Sequence, residues 1–519
     1  MEQGKVVLTK PTITLKRKID LIIKTTVLPV HYTFKNPPPS SGRLRLPIQP
    51  QERWLTAVLL ILITSLTQLT CRRHSAKEFI TAEAPMIAVT HVRVIDGTGS
   101  PAREDQTIVI EQGRIKVIGP AADIQVPANT KILDLRGRTA IPGLVGMHDH
   151  LFYTMGDGGP AVPMNFSFAR LYLACGVTSI RTTGAVDFDS DRASKEQIES
   201  GEQAGPKIHL TSPYINRSAD QPMDAREITK QVNDWADDGA TSFKVYTNIG
   251  RAELAAVIAA AHSRGLKVAG HLCAVGFRDA AALGIDSLEH GLIVDTEFYS
   301  GKKPDECPRQ NVWLGELAQM DVNSAEIQQL IKDLVSHNVA VTSTLPVLET
   351  FTGDQFQLDE RMQETLSPDA YAKCLSQIEH DIADPRWARV WQVMLKKEMQ
   401  FERQFVKAGG LLMAGVDPTG WGGVIAGFGD QRGLELLVKA GFTPEEAVRI
   451  ASANGAEFLG EGGHIGTLAI GKQADIVIIR GNPSSNIADI RNVELVFKDG
   501  VGYDSSKLIA SVRGLVGEQ

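Results

Sequence analysis

The sequence predicts an α/β protein in which a (β/α)8 TIM barrel is joined to a small β-sandwich domain built from both ends of the chain. Short apolar segments alternate with helical segments through the centre of the chain, a pattern typical of parallel strands joined by crossover helices. Eight such strands can be counted, the number that closes a TIM barrel. Segments rich in β-branched residues near both ends predict the strands of the smaller domain.

The predicted barrel covers residues 141–459. Helical segments such as RAELAAVIAAAHSRG separate its strands, with apolar residues three and four apart and a Gly or Asn near the C-cap. Two long insertions, at about 295–325 and 346–400, are expected to extend the loops over the face where barrel active sites form. The strands are predicted at 141–148, 177–183, 207–214, 241–247, 266–271, 285–290, 339–344 and 411–417.

The small β-sandwich domain is predicted from residues 86–140 together with 460–505. In the first part, MIAVTHVRVIDGTG and QTIVIEQGRIKVIG roughly alternate in hydrophobicity and are separated by Gly and Asp turns. Matching segments near the C-terminus, GTLAIGKQADIVIIRG and VELVFKDG, would complete the same sheet if the two ends of the chain meet. The barrel would then be inserted between the two parts of one domain.

Residues 1–85 are predicted to be a basic leader that is disordered or removed. Within it, RWLTAVLLILITSLTQLTC (53–71) has an apolar core too short to span a membrane comfortably, but typical of a signal peptide. It predicts export, periplasmic or secreted, with transient membrane contact; a membrane anchor and a cytoplasmic location are the alternatives. Because no Met lies between Met1 and Met86, we also expect translation to start at a non-Met codon, with much of 1–50 absent.

Composition narrows the classes of partner. The net charge of -7 lacks the basic excess of a nucleic-acid-binding protein, so a small-molecule substrate is expected and nucleic acid is not. The five cysteines contain no CxxC pair, which argues against a cysteine-based zinc site. The pairing of Cys307 with Cys374 stays open, and a homo-oligomer is compatible with the sequence.

Six side chains with metal-binding chemistry lie at the ends of five predicted strands. Residues two apart on a strand point to the same face, so His148 and His150 can bind one ion together while Asp149 points away. Imidazole and carboxylate groups suit a borderline divalent cation, zinc first. The six are His148 and His150 on strand 1, Lys244 on strand 4, His271 on strand 5, His290 on strand 6 and Asp417 on strand 8.

Lys244 is the unusual member of this set. A lone buried ammonium group on an inward-facing strand is unfavourable, and a neighbouring cation makes it more so. Carbamylation, in which the neutral amine takes up CO2, would convert Lys244 into an anionic group that can bridge two metals. Four histidines, one carbamate and one aspartate are enough ligands for two zinc ions per chain; other divalent metals are also compatible.

These residues resemble the amidohydrolase superfamily in its binuclear subtype. The resemblance rests on HDH (148–150), Lys244, His271, EHG with His290, and GVD with Asp417. The segment FTPEEAVRIASANGAEFLG and the later IGTLAIGKQADIVI are also similar, so the resemblance covers about residues 86–505. It is nearest to the imidazolonepropionase-like and Xaa-Pro dipeptidase-like amidohydrolases. It implies that His148, His150 and Asp417 hold one metal, that His271 and His290 hold the second, and that carbamylated Lys244 bridges them.

The expected reaction is hydrolysis of an amide-type C–N bond in a peptide or cyclic amide. The metals would present a bridging water as hydroxide, and Asp417 would accept its proton as general base and deliver it to the leaving nitrogen. Tyr246, two residues after Lys244, and Trp421, in a glycine-rich loop, are predicted to contact substrate. Arg181 is predicted to form a structural ion pair rather than to bind a substrate carboxylate.

Two alternatives remain at this point. A mononuclear, deaminase-like amidohydrolase would use HxH, one later His and the Asp, but Ala274 stands where such enzymes often carry a Glu, and Lys244 would have no role. A non-catalytic barrel scaffold is the other alternative, although all six ligand residues are present. The number of bound metals discriminates between the three.

Overall fold

The computed structural model describes residues 75–156, 159–217, 223–353, 358–418 and 423–518, and omits the side chains of 381–383. Residues 1–74, including the apolar segment 53–71, and Trp421 lie outside the described residues. Within the described ranges, no helix is long and apolar enough to cross a membrane.

The described strands fall into three groups along the chain. The N-terminal group is β1 (Ile80–Ala82), β2 (Met86–Val94), β3 (Arg103–Glu111), β4 (Arg114–Pro120), β5 (Lys131–Asp134) and β6 (Arg138–Pro142). The central group is β7 (Leu144–Asp149), β8 (Phe152–Thr154), β9 (Ala161–Pro163), β10 (Val177–Thr182), β11 (Lys207–His209), β12 (Thr211–Ile215), β13 (Ser242–Val245), β14 (Lys267–Gly270), β15 (Ser287–Glu289), β16 (Ala340–Ser343) and β17 (Leu412–Ala414). The C-terminal group is β18 (Ile476–Arg480), β19 (Val493–Lys498) and β20 (Val501–Asp504).

The described α-helices alternate with the central strands and continue to the C-terminus. The first seven are α1 (Ser167–Ala174), α2 (Phe188–Glu199), α3 (Ala225–Asp237), α4 (Arg251–Ser263), α5 (Phe277–Leu283), α6 (Gln310–Leu317) and α7 (Ala325–Ser336). The others are α8 (Leu345–Thr350), α9 (Glu360–Thr365), α10 (Pro368–Ala383), α11 (Pro385–Lys407), α12 (Phe428–Lys439), α13 (Pro444–Ile450), α14 (Ala453–Phe458) and α15 (Ser505–Ala510).

Both ends of the described chain meet in one nine-stranded sheet. Its strand order is β1-β20-β19-β18-β6-β2-β3-β4, and β5 pairs with β2. Side chains from both groups share one buried core, in which Ile87 and Ile108 pack with Ile478 and Phe497. Residues 75–85, assigned to the leader from the sequence, instead contain strand β1 of this sheet, which pairs with β20 and buries Ala82.

The predicted barrel strands are present in the predicted order, in two parallel sheets. One sheet has the order β11-β10-β7 and the other runs from β12 to β17. The third predicted strand, 207–214, is divided at Leu210, and the Thr211 amide donates to the Thr182 hydroxyl rather than to a backbone carbonyl. β7 and β17 are the remaining edge strands of the two sheets. The His148 carbonyl on β7 accepts from the amides of Val416 and Asp417, so β7 approaches the end of β17.

A typical helix shows how the sequence builds the layer outside these strands. In α7, the Ser324 side chain caps the N-terminus by accepting from the Ile327 amide. Its apolar residues recur at helical spacing, and Ile327, Leu330 and Leu334 are all buried. The helix ends before Asn338, which adopts a positive φ of 55° and turns the chain into β16.

The second insertion is largely helical, whereas the first contains one short helix. The first contains α6, and the second contains α9, α10 and most of α8 and α11. A disulfide joins Cys273, which follows β14, to Cys307 in the first insertion. Pairing of Cys307 with Cys374, which the sequence left open, does not occur, because Cys374 is a buried free thiol.

Candidate metal centre

The six predicted metal ligands surround one cavity of about 510 Å3. His148 lies on β7 and Lys244 on β13, and the other four follow directly or closely after a parallel strand. All six are brought together because the C-terminal ends of neighbouring parallel strands meet at one edge. The six cavity residues are His148, His150, Lys244, His271, His290 and Asp417.

Distances define a compact group of potential ligands. The Nε2 atom of His150 lies 3.2 Å from Oδ1 of Asp417, and Nε2 of His148 lies 3.8 Å from the same oxygen. Ligand atoms of His148, His290 and Asp417 all lie within 4.8 Å of one another. The His271 ring centroid is 4.4 Å from that of His290. This spacing allows one divalent cation to contact several of these side chains.

The polar atoms of the site fit a cation. The Nδ1 atom of His148 contacts the Glu289 carboxylate at 2.6 Å, which leaves Nε2 for a ligand bond. The Nδ1 atom of His290 contacts the Thr344 hydroxyl at 2.8 Å, and its buried Nε2 has no partner among the described residues. The buried Nζ atom of Lys244 is likewise unpartnered within that part of the chain. Buried polar atoms normally have partners, so these atoms indicate a ligand.

Two of the six residues have a strained backbone. His290 has φ 69° and Asp417 has φ 52°, values that residues other than glycine adopt infrequently. Such conformations cost about 1–3 kcal/mol each and cluster at functional sites. At Asp417, the turn is held by the hydrogen bond to the His148 carbonyl, and it directs the carboxylate toward His150.

Burial keeps His148, His271 and His290 neutral. Burial, together with the nearby Lys244 charge, lowers the pKa of His148 to about 4 and that of His271 to about 3. The pKa of His290 is also well below its usual value, mainly because the ring is buried. Neutral imidazoles present a free lone pair, so these rings are competent metal ligands near pH 7.

The pKa values of Lys244 and Asp417 are shifted in directions that suit metal binding. Burial lowers the pKa of Lys244 to about 8, which increases the fraction of neutral amine at physiological pH. Burial alone would raise the pKa of Asp417, but the hydrogen bond with His150 and the His148 ring outweigh it and hold the pKa well below its ordinary value. Asp417 is therefore an ionised carboxylate.

Behind the histidines, a buried ion pair fixes the orientation of His148. The Glu289 carboxylate contacts His148 on one side and the Arg181 guanidinium on the other, at 2.7 Å. Arg181 also donates to the Met147 carbonyl. The prediction that Arg181 forms a structural ion pair is confirmed. Glu289 was not singled out from the sequence, although it immediately precedes His290 in the EHG motif.

Glu289→Gln is expected to weaken metal binding by about 10- to 100-fold, because the amide holds the His148 ring less firmly than the carboxylate. Competition with a chelating dye measures the affinity. Glu349→Gln is the matched control, since Glu349 is also buried and paired with an arginine, Arg432, but does not line the cavity. Equal metal affinity in the two variants would contradict the assigned role of Glu289.

Two tyrosines line the cavity beside these ligands. Tyr246, predicted from the sequence, lies with its ring centroid 5.0 Å from His271, and burial raises its pKa to about 12, so the phenol can donate a proton in a hydrogen bond. Tyr214 was missed; it lies on β12 with its ring 5.0 Å from Tyr246 and 6.5 Å from His150. The strand-end rule that found the metal ligands would also have found it. A Cβ atom at Gly184 would lie 2.6 Å from the Tyr214 ring, so the ring requires glycine there.

Comparison with known proteins gives two short or partial matches among curated relatives. The chain is 32% identical over 68 residues to an N-substituted formamide deformylase from Arthrobacter pascens, covering 13% of this chain and 12% of that protein. It is 27% identical over 258 residues to an adenine deaminase from Chelativorans sp. (strain BNC1), covering 47% of this chain and 40% of that protein. The matched parts thus span less than half of either relative.

Solved structures match over most of their length and show the same fold. A Xaa-Pro dipeptidase structure with bound methionine aligns with a TM-score of 0.60 and 20% identity, covering 81% of this chain and 100% of that one. Phenylurea hydrolase B aligns with a TM-score of 0.60 and 19% identity, covering 84% and 100%. Molinate hydrolase aligns with a TM-score of 0.60 and 17% identity, covering 82% and 96%.

The family comparison covers more than half of the chain. Residues 139–501 match the Amidohydrolase family. This range contains all six cavity residues with metal-binding chemistry, and it confirms the resemblance found in the sequence. The chain therefore belongs to the amidohydrolase family.

Proposed function

We propose that this enzyme is a metal-dependent hydrolase of an amide-type C–N bond, in a peptide or a cyclic amide. The observation that carries the proposal is the ring of four histidines, one lysine and one aspartate around a single cavity. Buried nitrogens without partners among the described residues support a bound cation. The similarity to a Xaa-Pro dipeptidase structure agrees with a peptide-type bond.

We propose that the two parallel sheets form one closed (β/α)8 barrel and that the nine-stranded sheet folds as a β-sandwich. Closure is supported at one seam by Leu210, which directly joins β11 to β12, and at the other by the hydrogen bonds to the His148 carbonyl. The sandwich is supported by the single core that the N-terminal and C-terminal strand groups share. Ile87 from the first group and Phe497 from the second both belong to it.

The metals proposed are two zinc ions per chain. His148, His150 and Asp417 would hold one ion, and His271 and His290 would hold the other, with carbamylated Lys244 between them. Nitrogen and carboxylate ligands suit zinc, although other divalent metals share these preferences. The neutral fraction of the Lys244 amine, increased by burial, supports carbamylation.

The residues of the chain then have separate roles in hydrolysis. When bound, the cations would supply an acidified water and would polarise the scissile carbonyl. The ionised Asp417 carboxylate accepts the proton of the attacking water and delivers it to the leaving nitrogen. Tyr246 remains protonated and donates a hydrogen bond to the substrate from the cavity wall.

Removing the metal should abolish activity, and restoring zinc should recover it at two metals per chain. Dipeptides, N-acyl amino acids, amino-acid amides and cyclic amides form the substrate screen, with metal content measured by mass spectrometry. Activity that persists in the fully metal-free enzyme would contradict the proposal. Stepwise addition of zinc to the metal-free enzyme also gives the number of metals per chain at full activity.

A mononuclear, deaminase-like enzyme is the second candidate, favoured by the partial similarity to an adenine deaminase. It predicts one metal per chain and release of ammonia from an amino-substituted heterocycle. Lys244 argues against it, because a buried amine beside the ligands then has no role. One metal at full activity would favour this candidate.

We also propose that the enzyme is exported. The disulfide between Cys273 and Cys307 supports this, because such bonds persist in oxidising compartments. N-terminal sequencing of the natural protein from separated cell fractions should find a chain that begins after the apolar segment 53–71. A cytoplasmic chain that retains residues 1–50 would contradict the proposal.

A further inference from the structure

Part of the cavity wall is aromatic. Trp313, Phe351 and Trp391 line it, and all three side chains are buried. The rings of Phe351 and Trp391 lie 4.4 Å apart at an angle of 31°. Trp313 belongs to the first insertion, whereas Phe351 and Trp391 belong to the second. Both insertions therefore contribute to a subsite for a flat or bulky apolar group.

Trp391 adds one polar feature to this wall. Its indole Nε1 atom is buried and has no acceptor among the residues the structure describes. The side chain is 4% exposed and lines the cavity, so a ligand oxygen is the acceptor that best satisfies it. A neutral oxygen, such as that of a second amide or carbonyl, meets this need without bringing a charge into the apolar wall.

Outside the metal-binding group, the described lining of the cavity offers no side-chain cation for a substrate carboxylate. Among the described lining residues, Lys244 is the only lysine or arginine, and it lies in the metal-binding group. The internal segments outside the described residues also contain no Lys or Arg; they are 157–158, 218–222, 354–357 and 419–422.

Two further cations donate to backbone carbonyls outside the aromatic wall. The Lys302 ammonium donates to the carbonyls of Cys273, Ala274 and Glu306. The Arg217 guanidinium donates to the Asp305 carbonyl. Neither lines the cavity, so a carboxylate placed against the aromatic wall would have no side-chain cation beside it among the described residues.

We propose that the substrate is an uncharged amide with an aromatic or bulky apolar group and no free carboxylate. This rests on the proposed hydrolysis of an amide bond and narrows its substrate class. It makes a free dipeptide a poor substrate, because its terminal carboxylate lacks a partner. The aromatic wall binds the apolar group, and Trp391 donates to a neutral oxygen of the substrate.

The test uses two probes that share one scissile bond, N-phenylacetylglycinamide and N-phenylacetylglycine. Hydrolysis is measured with the zinc-loaded wild-type enzyme, and binding with the zinc-loaded Asp417→Asn variant by calorimetry. The neutral amide is expected to be favoured by about 100-fold in kcat/KM and in affinity, since the acid must bury an unpaired charge. Equal or tighter binding of the acid, or no binding of either probe, would overturn the proposal. Tighter binding of the amide without hydrolysis would instead contradict the proposed function alone.

Variants test whether the preference for the neutral amide arises at the aromatic wall. Trp391→Phe keeps an aromatic ring but removes the donor, and should weaken binding of the neutral amide by about threefold to tenfold. Trp387→Phe is the matched control, since Trp387 lies one turn earlier on α11 and does not line the cavity. Gln310→Arg adds a cation to the lining and should improve binding of the acid, relative to binding of the amide by the same variant, at least about tenfold. Equal effects of the two Trp variants, or no gain for the acid, would count against the proposal.

Discussion

Replacing Asp417 with asparagine is expected to lower kcat/KM by about a thousandfold while most of the metal is retained. The amide can still offer an oxygen to a cation, but it cannot accept the proton of the attacking water, and general acid–base catalysis contributes about 100- to 10,000-fold. Asp417 is available for this role because its carboxylate is ionised, since the hydrogen bond with His150 and the His148 ring hold its pKa below the ordinary value. Steady-state kinetics and metal analysis on the same preparation measure both effects.

A matched change elsewhere separates this effect from a general loss of stability. Asp224 is exposed and caps α3 by accepting from the Arg226 amide, and asparagine is an equally good cap. Asp224→Asn should therefore have wild-type activity, metal content and melting temperature. If Asp417→Asn retains near-wild-type turnover, Asp417 is not the proton carrier.

That these six residues share one cavity could be predicted from the sequence, because their positions depend on local patterns. Each of the six residues lies on or shortly after a short apolar strand, and parallel strands bring their C-terminal ends to one edge. The His148–His150 pair needed only the period of two along a strand. Helices such as α7 were equally accessible, since their apolar spacing and caps are local.

Features that depend on long-range packing were not accessible in the same way. The disulfide from Cys273 to Cys307 depends on the path of the first insertion, which no local period determines. The contact between Phe351 and Trp391 joins the end of α8 to α11 and depends on how these helices pack. The division of the third strand at Leu210 depends on the Thr182 hydroxyl, a side chain from another strand.

Lys244 is the residue whose replacement should alter the metal centre most. The residue is 1% exposed, and its amine has no hydrogen-bond partner among the described residues and a pKa lowered by burial to about 8. A neutral amine can attack CO2, forming an N–C bond and releasing one proton, so the side chain gains a carboxylate. That group would supply the negative charge that a two-metal site requires between its ions.

Lys244→Met is expected to reduce bound zinc from two ions per chain to one or none and to lower kcat/KM by at least about a thousandfold, because the bridging ligand and its charge are lost.

In the wild type, zinc uptake after CO2 removal should depend on added bicarbonate, and 13C-bicarbonate should give a carbamate carbon signal by NMR. Both responses should be absent in Lys244→Arg and present in Lys267→Arg, since Lys267 lies on the adjacent strand and does not line the cavity. Zinc uptake that ignores bicarbonate, with no carbamate signal from the fully active enzyme, would show that Lys244 acts as a free amine. The two-metal site would then need another bridging ligand, and Asp417 is the carboxylate among the described lining residues that could supply it.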